Sequence, residues 1–361
     1  MSSFTNTEEY QQRVRDEYSK RNPKIQVAEV SSLLAALGFS GMRSDDIEQI
    51  TSGNVNATFS CRDLIVKIND RPEQRMLPNK VVSDLFADSP DAHVVRVLEY
   101  DWHQRTPHEV LVMRRAEGAN LLEHAIDMPE AQLRSIFRQT CRLIARLHRF
   151  QFDTFGEINE VGAGGPNPSF ATCPQFLLAE FEANVAKIKR GRLADPDDME
   201  RIERYFREHL PVFSNDRPVL VHNDAHFGNV LFSSDQLSSL IDWDGALRGP
   251  ASRSLVMLLQ MIDQPQCVTE GTPLFERYRG RQFYALLPHL KEELSDLFAD
   301  RALLRKLNLL NIGEQLFWVG DAWSAQFGEE LVANILSNEL AEDDDSLQNT
   351  YAGRIINHKP E

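Results

Sequence analysis

Residues 218–244 read PVLVHNDAHFGNVLFSSDQLSSLIDWD. Three short apolar runs, VLV, VLF and SLI, alternate with polar clusters, which predicts short strands joined by a loop crowded with His, Asn and Asp. On either side the chain is mostly helical. Between Pro129 and Phe150, the set Leu133, Ile136, Phe137, Cys141, Ile144 and Leu147 keeps the i, i+3, i+4 rhythm of a helix with one buried face. Further helices are expected near 175–190, 197–210, 252–263, 276–299 and 301–336. Upstream the pattern changes. From Ile47 to Met113 the apolar runs are short and rich in β-branched residues (IEQI, ATFSC, LIVKI, VVRVLEY, EVLVM), predicting an antiparallel sheet with one or two short helices inserted. Before it, Thr5 and Glu8 form a capping-box pattern ahead of a polar helix, and IQVAEVSSLLAALGF carries a second helix ending near Gly38. The expected class is α+β. Residues 1–42 form a helical extension, 43–115 a small sheet-rich lobe, and 116–361 a larger helical lobe. An acidic tail from about 339, with the run Glu342-Asp343-Asp344-Asp345, reads as a disordered, solubilising segment.

Composition narrows the function. Asp and Glu number 54 against 39 Lys and Arg, a formal charge of −15, so the surface repels phosphate backbones and anionic lipid. Neither nucleic acid nor a membrane is an expected partner, and no run approaches the roughly 18 apolar residues of a bilayer span. The opening MSSFTNTEEYQQRVRDEYSK has no apolar core. The four cysteines (Cys61, Cys141, Cys173, Cys267) are widely spaced without a C-x-x-C pair, which fits a reducing cytoplasm.

Phosphoryl transfer needs a carboxylate near the attacking hydroxyl, oxygen ligands for magnesium, and charge neutralisation along the phosphates. Asp224 can supply the first. Asn229 and Asp242 offer the hard oxygen donors that magnesium prefers. A hairpin between Val230 and Ile241, turning at Ser233-Ser234-Asp235, would bring Asn229 and Asp242 together. The pattern H-x-D-x-x-x-x-N followed by I-D-W-D resembles the catalytic signature of the aminoglycoside phosphotransferase family. These are small-molecule kinases of the protein-kinase-like bilobal fold, with choline- and homoserine-kinase-type relatives. The resemblance implies that Asp224 accepts the substrate hydroxyl proton, that Asn229 and Asp242 hold Mg2+, and that His222 braces the loop from inside. His226 is as readily a loop-packing residue as a substrate contact, and Trp243 and Asp244 read as packing and supporting residues.

The same resemblance implies a nucleotide site in the first lobe, for ATP or GTP. The turn Thr51-Ser52-Gly53-Asn54-Val55-Asn56 is similar to the S-G-x-x-N turn of small-molecule kinases, placing Ser52, Gly53 and Asn54 at the phosphates. Lys67, flanked by apolar residues in LIVKI, is costly to bury without an anion and matches the family lysine of the α- and β-phosphates. For the helix glutamate that pairs with this lysine, Glu73 is the nearest candidate. Pro78 interrupts its helix and an anchor on VVSDLF would put Asn79 near that position as the alternative, but Glu73 is the residue assigned. The segment LVMRRAEG (111–118) resembles the linker between lobes, with the Arg114 carbonyl and Ala116 amide gripping adenine and Met113 lining its pocket. Ser254 stands about where the family has an aspartate that ties down the catalytic loop, so bracing is expected to be either weaker or rerouted, with Asp244 one candidate route.

These expectations describe an O-phosphotransferase acting on a hydroxyl of a small molecule. Glu180, Glu182, Asp263, Glu314 and Asp321, with the acidic net charge, favour a cationic acceptor such as an aminoglycoside, which would link the protein to antibiotic resistance. An amino alcohol, a neutral sugar or a macrolide is the alternative. Phe317, Trp318 and Trp323 could wall the acceptor pocket or sit in the core. A catalytically silent nucleotide-binding module is the reading from another class. A protein kinase is disfavoured because no D-F-G or A-P-E follows Asp242.

Overall fold

The structure, a computed structural model, describes residues 24–50, 56–69, 76–89, 93–158, 169–320 and 325–358, with Gln12 and Asp16. In the first lobe, helix α1 (Val27–Ala36) precedes β1 (Ile47–Ile50), β2 (Ala57–Cys61) and β3 (Leu64–Asn69). Helix α2 (Leu77–Leu85), β4 (Val97–Trp102) and β5 (Glu109–Arg114) follow. The strands form an antiparallel sheet in the order β1-β2-β3-β5-β4.

Strand alternation gives the two faces of this sheet different work. Leu64, Val66 and Ile68 of β3 are buried with Phe59 of β2 against Val30, Leu33 and Leu34 of α1. The helix expected as an extension therefore covers the outer face of the sheet and shares its core. Ile65 turns to the opposite face, where Met76, Val97, Leu111 and Met113 cluster. Lys67, two residues on and in register with Leu111, points the same way, toward the second lobe. Pro78 lies in the first turn of α2, where its missing N–H costs nothing. Val82 and Phe86, at the other end of α2, are buried in the core of the helical lobe. Helix α2 is thus shared between the lobes.

The linker after β5 leads to β6 (Ala119–Asn120), which pairs with β9. Gly118 is required in it: φ is +113°, and a Cβ would lie 2.5 Å from the Phe232 carbonyl oxygen. The second lobe continues with α3 (Glu130–Leu147), β7 (Gly156–Glu157), α4 (Cys173–Gly191) and α5 (Pro196–His209). Then come β8 (Val219–Val221), β9 (Val230–Ser233), β10 (Gln236–Leu240), β11 (Leu247–Gly249) and α6 (Ser254–Asp263). Last are α7 (Leu287–Glu293), α8 (Leu303–Gly320), α9 (Ala325–Asn338) and α10 (Tyr351–Ile356). The helix expected over 276–299 is instead several short pieces, with Gly280 at φ +69° between two of them.

Strand β8 separates two apolar cores. Leu220 packs into one with α3 and α6, while Val219 and Val221 enter the other with α4, α5 and α8. At roughly 1.5–3 kcal/mol per fully buried side chain, these three residues fix the point from which the polar loop departs. The loop returns in β9, whose antiparallel pairing with β10 is closed by Ser234 at φ +55°.

The expected acidic tail is corrected by the structure. Glu339 is fully buried, and Ala352, Ile355 and Ile356 of α10 belong to the main core of the helical lobe. The acidic run forms the turn between these packed segments, with Asp343 Oδ1 accepting from the Ser346 N–H at 2.7 Å. An acidic composition misleads here because the apolar residues that anchor the segment follow the run. Burial pushes the Glu339 carboxyl up to about 7, although it accepts from Asn308 Nδ2 at 3.0 Å and from the Tyr351 N–H at 3.3 Å. A carboxyl whose folded pKa exceeds its unfolded value binds extra protons in the native state, so its contribution to stability falls as pH rises from about 4.5 to 7. Glu339→Gln removes this penalty. Urea denaturation of both proteins at pH 5 and pH 8 should show the variant gaining about 2.5 kcal/mol relative to wild type across that interval.

Candidate active site

The polar loop is built from its ends inward. His222 is buried, its ring 4.3 Å from that of Trp243. Its Nε2–H donates to the Ile241 carbonyl at 3.0 Å, and its Nδ1 accepts the Asp224 N–H at 3.2 Å. Both contacts require the neutral ring, and burial accordingly lowers its pKa to about 4. His222 therefore ties the end of β10 to the loop from beneath. Asn223, next to it, adopts the left-handed conformation (φ +64°), which Asn tolerates and which swings Asp224 outward.

Asn229 ends a one-turn 3-10 helix (Phe227–Asn229) capped by His226, whose Nδ1 accepts from the Gly228 N–H at 2.9 Å. The Asn229 amide nitrogen donates to the Asp224 carbonyl at 2.8 Å and to its carboxylate at 3.0 Å. Its oxygen is then the atom it can offer a cation. Burial first, and then the charge of Asp242, push the Asp224 carboxyl up to about 8 against the Asn229 hydrogen bond. His226 packs within the loop, with its Nε2 3.6 Å from Asp224 Oδ1.

The hairpin brings Asp242 beside Asn229, where the Ile241 N–H donates to the Asn229 carbonyl at 2.9 Å. Asp242 itself is left-handed (φ +63°, ψ +67°), which lifts its carboxylate toward the first lobe. There Lys67 Nζ lies 2.6 Å from Asp242 Oδ1 and 3.4 Å from Asp244 Oδ1. Burial works against the Lys67 ammonium, but the two carboxylates outweigh it and hold its pKa above the ordinary lysine value. Asp242 is held below the usual carboxylate range by Lys67, against its burial. Burial, opposed by Lys67 and helped by Asp242, raises Asp244 to about 6.

The structure thus brings Lys67, Asp224, Asn229 and Asp242 into one cleft between the lobes. Met113 is buried in the inner-face cluster of the sheet at the linker, and Arg114 begins that linker with its N–H on the Arg96 carbonyl at 2.9 Å. Ala116 follows in the connection to β6. Ser52, Gly53, Asn54 and Glu73 lie outside the described residues, as do Asp321 and Trp323. Asn79 shares the Asp244 carboxylate with Lys67: its side chain donates to Asp244 and accepts the Trp243 N–H at 3.2 Å.

One supporting residue, Arg253, escaped the sequence reading. Asp244, read as a packing and supporting residue, accepts from Lys67, Asn79 and Asn56, the last at 2.6 Å. Bracing of the catalytic loop is not routed through it. Arg253 does that work, with Nε 2.7 Å from Asn223 Oδ1 and Nη1 2.5 Å from Glu180 Oε2, its guanidinium over the Phe176 ring. Ser254 instead meets the His148 ring at 2.9 Å. The available signal was the arginine beside the missing aspartate, an exchange of one loop tie for another.

Of the candidate acceptor-site acids, Glu180 is paired with Arg253, and Glu182 with Arg207 at 2.7 Å. Asp263 is engaged by Tyr284 and Gln282. Glu314 remains beside the loop. Its carboxyl is raised by burial, its charge reaches Asp224, and it accepts from Trp318 Nε1 at 3.1 Å. Phe317 and Trp318 are 39% and 48% exposed, so neither is core.

The donor chemistry fits Mg2+. Asn229 and Asp242 offer hard oxygens, and no cluster of three or more His, Cys, Asp or Glu that could cage a metal occurs among the described residues. A site with few protein ligands suits an ion that keeps water and phosphate oxygens in its shell.

Among proteins of curated function, none matches the chain in sequence. Solved structures share its fold at low identity. A thermostable mutant of aminoglycoside phosphotransferase APH(4)-Ia, in ternary complex with AMP-PNP and hygromycin B, is 16% identical with a TM-score of 0.58, covering 85% of this chain and 97% of that one. ADP-bound APH(2'')-Ib is 15% identical with a TM-score of 0.56, covering 92% and 99%. APH(2'')-IIa, in complex with gentamicin, is 15% identical with a TM-score of 0.56, covering 90% and 99%. Residues 46–287, from the first strand through the catalytic loop and α6, match the family described as "Phosphotransferase enzyme family". With that span containing both halves of the cleft, the chain belongs to the phosphotransferase enzyme family and has its kinase-like two-lobed fold.

Proposed function

We propose that the protein transfers the γ-phosphoryl group of ATP to a hydroxyl of a small molecule, with Asp224 as the residue that orients and deprotonates that hydroxyl. The observation that carries this reading is the convergence of Asp224, Asn229, Asp242 and Lys67 on one interlobe cleft. A bound Mg2+ would neutralise phosphate charge there, held by Asn229 and Asp242. Lys67 supplies a fixed positive charge to the α- and β-phosphates, and the Met113–Ala116 linker receives the base. Asn229 holds the Asp224 carboxylate in a single orientation toward the acceptor, and His222 fixes the backbone beneath it. Catalysis of this kind is positioning and electrostatics. GTP is the alternative donor. The AMP-PNP and ADP in the structural relatives support ATP.

The acceptor lies against the helical lobe, where Glu314 and the exposed Trp318 flank the loop. Relatives complexed with hygromycin B or gentamicin support a cationic, aminoglycoside-like acceptor, and with it an antibiotic-resistance role. The pairing of Glu180 with Arg253 favours a second reading, an acceptor of low charge such as an amino alcohol or a neutral sugar or macrolide. Four free cysteines, three of them buried, support a reducing, cytoplasmic setting. Among the described residues, no helix is long and apolar enough to cross a membrane.

A nucleotide-consumption screen over cationic and neutral hydroxyl compounds tests the reading, with Asp224→Ala as the blank. The variant should lose 10²- to 10⁴-fold in kcat with some compound in the panel while binding nucleotide as wild type does. Wild-type turnover by Asp224→Ala would remove Asp224 from its role, and a silent module would consume nucleotide with no compound at all. Asp242→Ala should abolish magnesium-dependent nucleotide binding in calorimetry. Arg253→Lys keeps the charge beside Glu180 but withdraws the Nε bond to Asn223. Its kcat should drop about tenfold, the equivalent of one lost hydrogen bond, with the nucleotide KM unchanged.

A further inference from the structure

Asp244 is placed by the turn Trp243–Gly245, just past the end of β10, and belongs to the helical lobe. Among the described residues, the side chains that hydrogen-bond its carboxylate nevertheless all come from the sheet lobe, at three different places in it. Asn56, where the chain enters β2, donates to Oδ2 at 2.6 Å. Asn79, in the first turn of α2, donates to Oδ1 at 2.5 Å. Lys67, on β3, lies 3.4 Å from Oδ1. Asn79 also accepts the Trp243 N–H, so α2 is held at two adjacent points of one turn. Asp242 differs: among the described residues its one side-chain hydrogen-bond partner is Lys67, and its side chain is 42% exposed against 22% for Asp244. The outer carboxylate faces the cleft, and the inner one faces the joint between lobes.

Resting on the nucleotide site proposed above, we propose that Asp244 is a positioning residue that fixes the sheet lobe and helix α2 against the helical lobe. It thereby sets where Lys67 meets the phosphates. The neutral Asn79 contributes no charge to Lys67, and Asp244 provides, from the other lobe, the second anion that this buried ammonium requires. Asn56, the residue that leads into β2, is spent on the same carboxylate, so the start of β2 is tied to the joint as well. When phosphates compete with Asp242 for the lysine, Asp244 keeps both the sheet and α2 in register.

Exchanging the two partners tests this assignment. Asp244→Asn turns one carboxylate oxygen into a donor that faces two amide donors and an ammonium. Asn79→Asp sets two carboxylates against each other. The double variant N79D/D244N restores one acid and one amide with the polarity reversed, and an anion remains beside Lys67. ADP affinity, measured by calorimetry in metal-free buffer containing EDTA, should fall tenfold or more in each single variant and return to within about threefold of wild type in the double. In turnover assays the nucleotide KM should rise in each single variant while the acceptor KM stays within about twofold. Thermal melting confirms that each protein is folded, and the double variant keeps the test decisive if a single one is not. The proposal is overturned if the double binds ADP no better than D244N, or if D244N weakens binding solely when magnesium is present, which would make Asp244 a metal ligand. The parent reading fails separately: turnover by Asp224→Ala would refute it while leaving these ADP affinities intact.

Discussion

A lysine ammonium almost withdrawn from water, facing two carboxylates from the opposite lobe, is the interaction on which the rest of this structure depends. Removing such a charge from solvent costs several kcal/mol unless its partners are close and well aligned. Lys67 is 13% exposed and meets Asp242 at 2.6 Å. The ion pair joins the inner face of the sheet to the end of β10, so it closes the cleft at the same point where the nucleotide is proposed to bind. Strand alternation delivers the lysine to that face, and the hairpin delivers the acids.

The catalytic loop is held by a comparable over-determination. Asn223 and Asp242 both sit in the left-handed region, a conformation that costs energy and persists where surrounding contacts enforce it. Both are residue types whose short polar side chains tolerate it. His222 grips the loop from the hairpin side and Arg253 from the α4 side. Each grip uses a buried polar group with defined partners, and such a pairing gives a loop one conformation rather than several. The loop in turn leaves from β8, whose alternate side chains are locked into two separate cores.

The side on which the acceptor is proposed to bind is built on different principles. Its acids are partly consumed by the scaffold: Glu180 neutralises Arg253, and Glu182 neutralises Arg207. A net charge of −15 therefore says little about the local field there, because pairing decides which carboxylates remain available. Glu314, capped by the indole of Trp318, keeps its electrostatic reach toward Asp224.

Local pattern alone determined much of this protein: the sheet-then-helices order, the strands of the first lobe, the polar loop, and the Val230–Ile241 hairpin that brings Asn229 to Asp242. Those features rest on apolar periodicity and turn chemistry, which act over a few residues and so are written in consecutive positions. What tertiary structure decided was partnership at long range. Asn79 meets Asp244 across 165 positions, and Arg253 meets Glu180 across 73. Residues 351–356 pack into the core behind an acidic run that by itself reads as solvated. No short window records such contacts, because a buried charge or amide selects whichever partner the packed lobes bring within hydrogen-bonding distance.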